Sequence, residues 1–172
     1  KELKFKKIKD TFKSPMKWNK KFKDNKLCPG VAGRYFKNVK NIESPKWLQK
    51  RLIAIGLRPI SALVDITNYV TFDLGRPLHV YDADKVSGNL TMRLAKNNEE
   101  CIALNEENYK CDEDMIVISD DEKSLHGIGG VMGGLNSGCS MDTKNVFLEV
   151  ALFDPISVTK TGRKLNLQSD AR

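Results

Sequence analysis

Apolar residues recur along this chain at two spacings, and the change from one to the other organises it. Leu48, Leu52 and Ile55 stand at helical intervals after Ser44-Pro45, an N-cap followed by proline at the first helical position, until Gly56 stops the run. That spacing predicts a helix over 45–55. Val64, Ile66, Tyr69 and Val70, closed by Gly75 and Pro77, predict a second over 61–74. Leu90/Met92/Leu94, Cys101/Ala103, Ile116/Ile118 and Val146/Leu148/Val150 instead alternate with a period of two between polar or glycine-rich turns, as strands do. Tyr35 and Val39 in GRYFKNV give a weaker first strand, RPLHVYD reads as a loop or short extended piece, and Asp154-Pro155 opens a terminal helix over 155–165. Helices at both ends of a strand-rich middle predict an α+β domain.

Composition narrows the class without naming a function. The 172 residues are 40% hydrophobic and 30% charged, enough to bury one substantial core. No stretch of membrane-spanning length is apolar and uncharged, and KELKFKKIKDTFK lacks the pattern of a secretory signal. A start at lysine rather than methionine points to an excised fragment. Cys28, Cys101, Cys111 and Cys139 match neither a paired CxxC metal site nor a dense disulfide framework, so reduced thiols are expected. The net charge of +7 is unevenly spread: residues 1–26 hold 11 Lys against three acids, leaving 18 basic and 19 acidic residues in 27–172. Residues 1–26 therefore read as a basic linker arm from an upstream module, either solvated or touching nucleic acid, whose interleaved Phe5, Ile8, Phe12, Met16 and Trp18 could let it pack as an irregular arm, and 27–172 as the main domain.

Three features can carry chemistry. His79 and His126 are the two histidines; His79 is expected in the loop after the second helix, where catalytic residues concentrate, and His126 inside a strand. Glu149 is the one charge in the eight residues Val146–Phe153, on the strand face shared with Phe147 and Ala151. If that face is buried, the carboxylate needs a partner or a ligand; if the strand is an edge, it faces water. The run HGIGGVMGG supplies a tight turn or the floor of a pocket that a ligand approaches closely, but no Lys-Ser/Thr follows for a triphosphate loop. There is no GxSxG elbow and no HExxH, which disfavours an orthodox nucleophile or zinc hydrolase.

Taken together, LRPISALVDITNYVTFDLGRPLHVYDADK, GIGGVMGG, VFLEVALFDP and LQSDA, in that order and spacing, resemble the editing module of the bacterial phenylalanyl-tRNA synthetase β subunit over residues 28–172. The resemblance implies a mixed, mainly antiparallel sheet packed with helices. It implies hydrolysis of tyrosine wrongly esterified to phenylalanine tRNA, in the cytoplasm. Implied partners are the tRNA 3′ end carrying tyrosine, the remainder of the β subunit and the α subunit of an α2β2 enzyme. No cofactor is implied for editing; ATP and magnesium are expected for aminoacylation by the whole synthetase, which this stretch does not perform.

The same resemblance implies a cleft around Arg58, Asn68, His79, Glu149, Ser169 and Ala171, with Gly129 and Gly133 along its wall. Phenylalanine and tyrosine differ by one hydroxyl, and a site built to bond such a group rejects the analogue lacking it. Glu149 is then the candidate acceptor of the phenol. His79 is the candidate to orient the attacking water or the terminal ribose, or to act as general base. Arg58 is an expected electrostatic contact for the terminal adenosine or its phosphate, and Asn68 and Ser169 are hydrogen-bonding candidates. Gly129 stands where the family commonly has Ala, and Ser169 where Thr is usual, which implies a slightly roomier pocket. The alternative is a non-catalytic tRNA-docking or scaffold module with a vestigial cleft.

Overall fold

The segment Ile116-Val117-Ile118-Ser119 is buried at every position, so its strand must be covered on both faces. The computed structural model, which describes residues 8–169, shows how. Ten strands run in chain order: β1 (Trp18–Lys21), β2 (Gly30–Phe36), β3 (Leu78–Asp82), β4 (Leu90–Leu94), β5 (Glu99–Ile102), β6 (Asn108–Cys111), β7 (Ile116–Ser119), β8 (Leu125–Ile128), β9 (Met132–Gly133) and β10 (Val146–Leu152). They form a five-stranded sheet β1-β4-β7-β8-β9, a three-stranded antiparallel sheet β2-β10-β3 and a β5-β6 hairpin. The β1–β4 pair is parallel and the other pairs are antiparallel. Ile118 and Met92 join Tyr81, Phe147, Cys28 and Leu90 in one core. Val117, one residue out of phase, joins Leu125, Cys101, Cys111 and Val158 in a second. Three helices complete an α+β architecture: α1 (Lys46–Ala54), α2 (Ala62–Leu74) and α3 (Pro155–Lys164). No helix among the described residues is long and apolar enough to cross a membrane.

The helices follow their local signals closely. Asp154 caps α3 by accepting from the Ser157 amide at 2.7 Å, with Pro155 in the first turn. Gly75 ends α2 with φ of 62°, a left-handed turn suited to glycine. The start of α1 departs from expectation: Pro45 holds the cap position, and Ser44 donates instead to the fully buried Asp65 of α2. A buried carboxylate needs donors, and the Ile60 amide supplies another at 2.9 Å. Three strands were not anticipated. In the basic tract, Met16 is buried and Trp18 half-buried, and β1 docks against β4; β9 is two residues long, and in β6 the alternation of Tyr109 and Cys111 with Asn108 and Lys110 was passed over. Of the two readings of RPLHVYD the extended one holds, its LHVYD portion being strand β3; the expectation that His79 lies in a loop is corrected, since it stands on a sheet.

Candidate functional site

Glu149 sits in the middle strand of the three-stranded sheet, paired in register with His79 of β3 on one side and Gly33 of β2 on the other. A middle strand has no edge facing water, and Glu149 is 6% exposed, which excludes the edge-strand reading. Period two brings Tyr81 to the same face of β3 as His79, and its hydroxyl donates to Glu149 Oε2. Burial pushes the Glu149 carboxyl up to about 7, against the opposing pull of the Tyr81 bond. The Tyr81 phenol is raised well above its ordinary value, first by burial and then by the Glu149 charge.

His79 meets Tyr81 edge-on, with ring centroids 4.4 Å apart and an interplanar angle of 80°. The residue is half-buried, yet its Nε2 is shielded from solvent and has no hydrogen-bond partner among the described residues. Burial, and then the neighbouring His126, lower its pKa to about 4, so the imidazole is neutral at pH 7. His126 is itself 1% exposed and engages Asp120 through Nε2 at 3.0 Å.

His79, Tyr81 and Glu149 line a cavity of about 240 Å³, together with the glycine run from Gly127 to Gly133 and Phe153. That is below the roughly 300–1,000 Å³ of pockets for whole drug-sized ligands, and it suits one amino-acid side chain. The two singled-out glycines give room to different things. A Cβ on Gly133 would lie 2.3 Å from His79 Cε1, so its absence lets the imidazole stand where it does. A Cβ on Gly129 would lie 2.6 Å from Ile116 Cγ2, so that position relieves the core. Between them Gly130, with φ of 70°, makes the turn from β8 to β9.

The cavity thus joins His79, Glu149, Gly129 and Gly133. Ser169 stands one step behind, its hydroxyl donating to the carbonyl of the lining residue Val131. Arg58 is exposed in the α1–α2 connection and Asn68 is half-buried on α2; neither lines the cavity, although α2 packs on β3, the strand that carries His79. Ala171 lies outside the described residues. Sequence reasoning missed Tyr81 and the exposed Arg76 on the cavity lining. For Tyr81 a signal existed: it stands two residues from His79, a shared face once the segment is a strand. The described residues contain no group of three or more His, Cys, Asp or Glu able to hold a metal ion.

The chain has clear relatives. A model of the B3/4 domain matches residues 27–172. The phenylalanine–tRNA ligase β subunit of Mesorhizobium japonicum is 59% identical over 146 residues, 85% of this chain and 18% of that protein. That of Paramagnetospirillum magneticum is 49% identical over 174 residues, all of this chain and 22% of that protein. This chain therefore spans about a fifth of the length of these curated relatives. Among solved structures, an N-terminal fragment of the phenylalanyl-tRNA synthetase β subunit from Pyrococcus horikoshii shares the fold with a TM-score of 0.61 at 14% identity, covering 87% of this chain and 46% of that one. With its fold and most of its length matched in this way, the chain belongs to the B3/4 domain family, in the form found in phenylalanine–tRNA ligase β subunits.

Proposed function

We propose that residues 27–172 hydrolyse the ester of tyrosine mischarged onto phenylalanine tRNA, with the buried Glu149 carboxylate, set in a cavity the size of one side chain, as the observation that carries the reading. The phenol of tyrosine donates to Glu149, while phenylalanine offers no donor and leaves part of a desolvated carboxylate without a partner. Water then attacks the ester carbonyl: a carbon–oxygen bond forms to water, the bond to the ribose oxygen breaks, and a proton passes to that ribose oxygen. With a pKa of about 4, His79 is a poor match for proton abstraction near neutrality, so orienting the water or the ribose hydroxyl through Nε2 is the better role. Arg76 at the cavity, with Arg58 and Asn68 on the neighbouring helical hairpin, supplies contacts for the terminal nucleotides. The basic N-terminal tract, part of which docks on the domain as β1, connects this unit to the rest of a β subunit, which assembles with an α subunit in the cytoplasm.

Release of tyrosine from pre-charged Tyr-tRNA(Phe), measured beside a Phe-tRNA(Phe) control, tests the proposal. The expected result is release of tyrosine at least about tenfold faster than of phenylalanine. Binding of both charged tRNAs with release of neither would support the docking-module alternative instead.

A further inference from the structure

Glu149 does not face the cavity as a bare carboxylate. Its Oε2 is occupied by the Tyr81 hydroxyl, and among the described residues no donor reaches Oε1. Tyr81 is 1% exposed, and its ring is wedged between His79 at 4.4 Å and Trp18 at 6.1 Å, centroid to centroid, both edge-on. A ligand entering the cavity therefore meets a Tyr81 ring already packed on both of these neighbours. We infer that Tyr81 is a positioning residue that sets how Glu149 selects its ligand: by donating to Oε2 it fixes the carboxylate's orientation and leaves Oε1, which no donor among the described residues reaches, to accept from a phenol. This deepens the tyrosine-selecting role proposed above and rests on it.

The arrangement has two consequences. The carboxylate keeps the Tyr81 bond whatever the ligand, so phenylalanine leaves one oxygen unpaired rather than two. The Tyr81 bond also favours the ionised form against burial, which alone pushes the carboxyl toward neutrality. A phenol donates best to the ionised form, so selection strengthens as pH rises through about 7. Other titratable groups around Glu149 are His79 on the same face of β3, held low by burial, and Cys28 just before β2, held high by burial. Gly33, its partner on β2, and the glycine wall bring no titratable side chain; beyond the wall, His126 is engaged by Asp120.

Tyr81→Phe keeps the ring and removes the hydroxyl. In the full chain with carboxyl-labelled glutamate, the carbon resonance assigned by its loss in Glu149→Gln is followed with pH. The midpoint in Tyr81→Phe should move up by about one pH unit or more; an unmoved or lowered midpoint overturns the inference. That readout needs no ligand and stands apart from the proposed function. Binding of adenosine carrying tyrosine or phenylalanine through a non-hydrolysable 3′-amide then tests selection. The tyrosyl preference at pH 7 should fall about fivefold in Tyr81→Phe and recover by pH 9. A shifted titration with unchanged preference would overturn the selective role of Tyr81. A wild-type chain with no tyrosyl preference would overturn the function itself, and pH-dependent preference persisting in Glu149→Gln would assign the titration to another group.

Discussion

Glu149→Ala is expected to lower kcat/KM for tyrosine release by about 10- to 100-fold, the range set by losing one hydrogen bond to a charged group in a desolvated site. The tyrosyl-to-phenylalanyl ratio should fall toward one, because the truncated cavity no longer contains an acceptor that tells the two apart. The substitution also orphans the Tyr81 hydroxyl, which is buried with Glu149 as its partner. Glu149→Gln is therefore the companion variant: its amide oxygen still accepts from Tyr81 while the charge is gone. Loss of preference in both variants ties selection to the carboxylate. Full preference in a folded Glu149→Ala protein would remove Glu149 from the mechanism.

Gly133→Ala is expected to reduce release on the order of 10²-fold without removing a titratable group. The added methyl would stand 2.3 Å from His79 Cε1 and 2.9 Å from Nε2, closer than atoms approach, so the imidazole must turn away from its place on the cavity wall. Displacements of about 1 Å in a positioned group suffice for losses of that size. Gly133 has no left-handed backbone requirement, and β9 lies at the end of its sheet, so the cost falls on the histidine rather than on the strand. Gly129→Ala is the contrast. Its methyl meets Ile116 Cγ2 at 2.6 Å and Phe153 at 3.0 Å, and it should lower the unfolding midpoint through core overpacking. Equal activity in Gly133→Ala and wild type would mean that the His79 position is unimportant.

Where local chemistry decides structure, the sequence was a good guide. Asp154-Pro155 announced α3, and Gly75 closed α2 as a left-handed cap should. Strands that alternate, such as Leu90–Leu94 and Val146–Leu152, were visible from their period. What failed was set by long-range contacts. Ser44 carries the residue type of a cap, but a fully buried carboxylate 21 positions later claims its hydroxyl. Trp18 sits among lysines, and nothing local shows that it will pack edge-on against Tyr81.

The candidate site divides in the same way. Glu149 stood out as one charge in an apolar strand, and the structure supplies the buried face that makes it costly and therefore informative. His79 was singled out as a loop residue, yet strand β3 positions it, and that pairing puts it opposite Glu149. Placing His79 in a loop also hid Tyr81, whose relation to Glu149 depends on register between residues 68 positions apart. The glycine run left open whether it made a turn or a wall, and it does both: Gly130 turns the chain while Gly133 yields space to His79.

The most direct measurement is a structure of the chain with adenosine carrying tyrosine through a 3′-amide that resists hydrolysis. Tyrosine selection by Glu149 requires the phenol oxygen within hydrogen-bonding distance of Glu149 Oε1, Tyr81 still on Oε2, and His79 Nε2 facing the amide or the ribose. A tyrosyl ring seated elsewhere, or in the cavity with its hydroxyl turned away from Glu149, would contradict it.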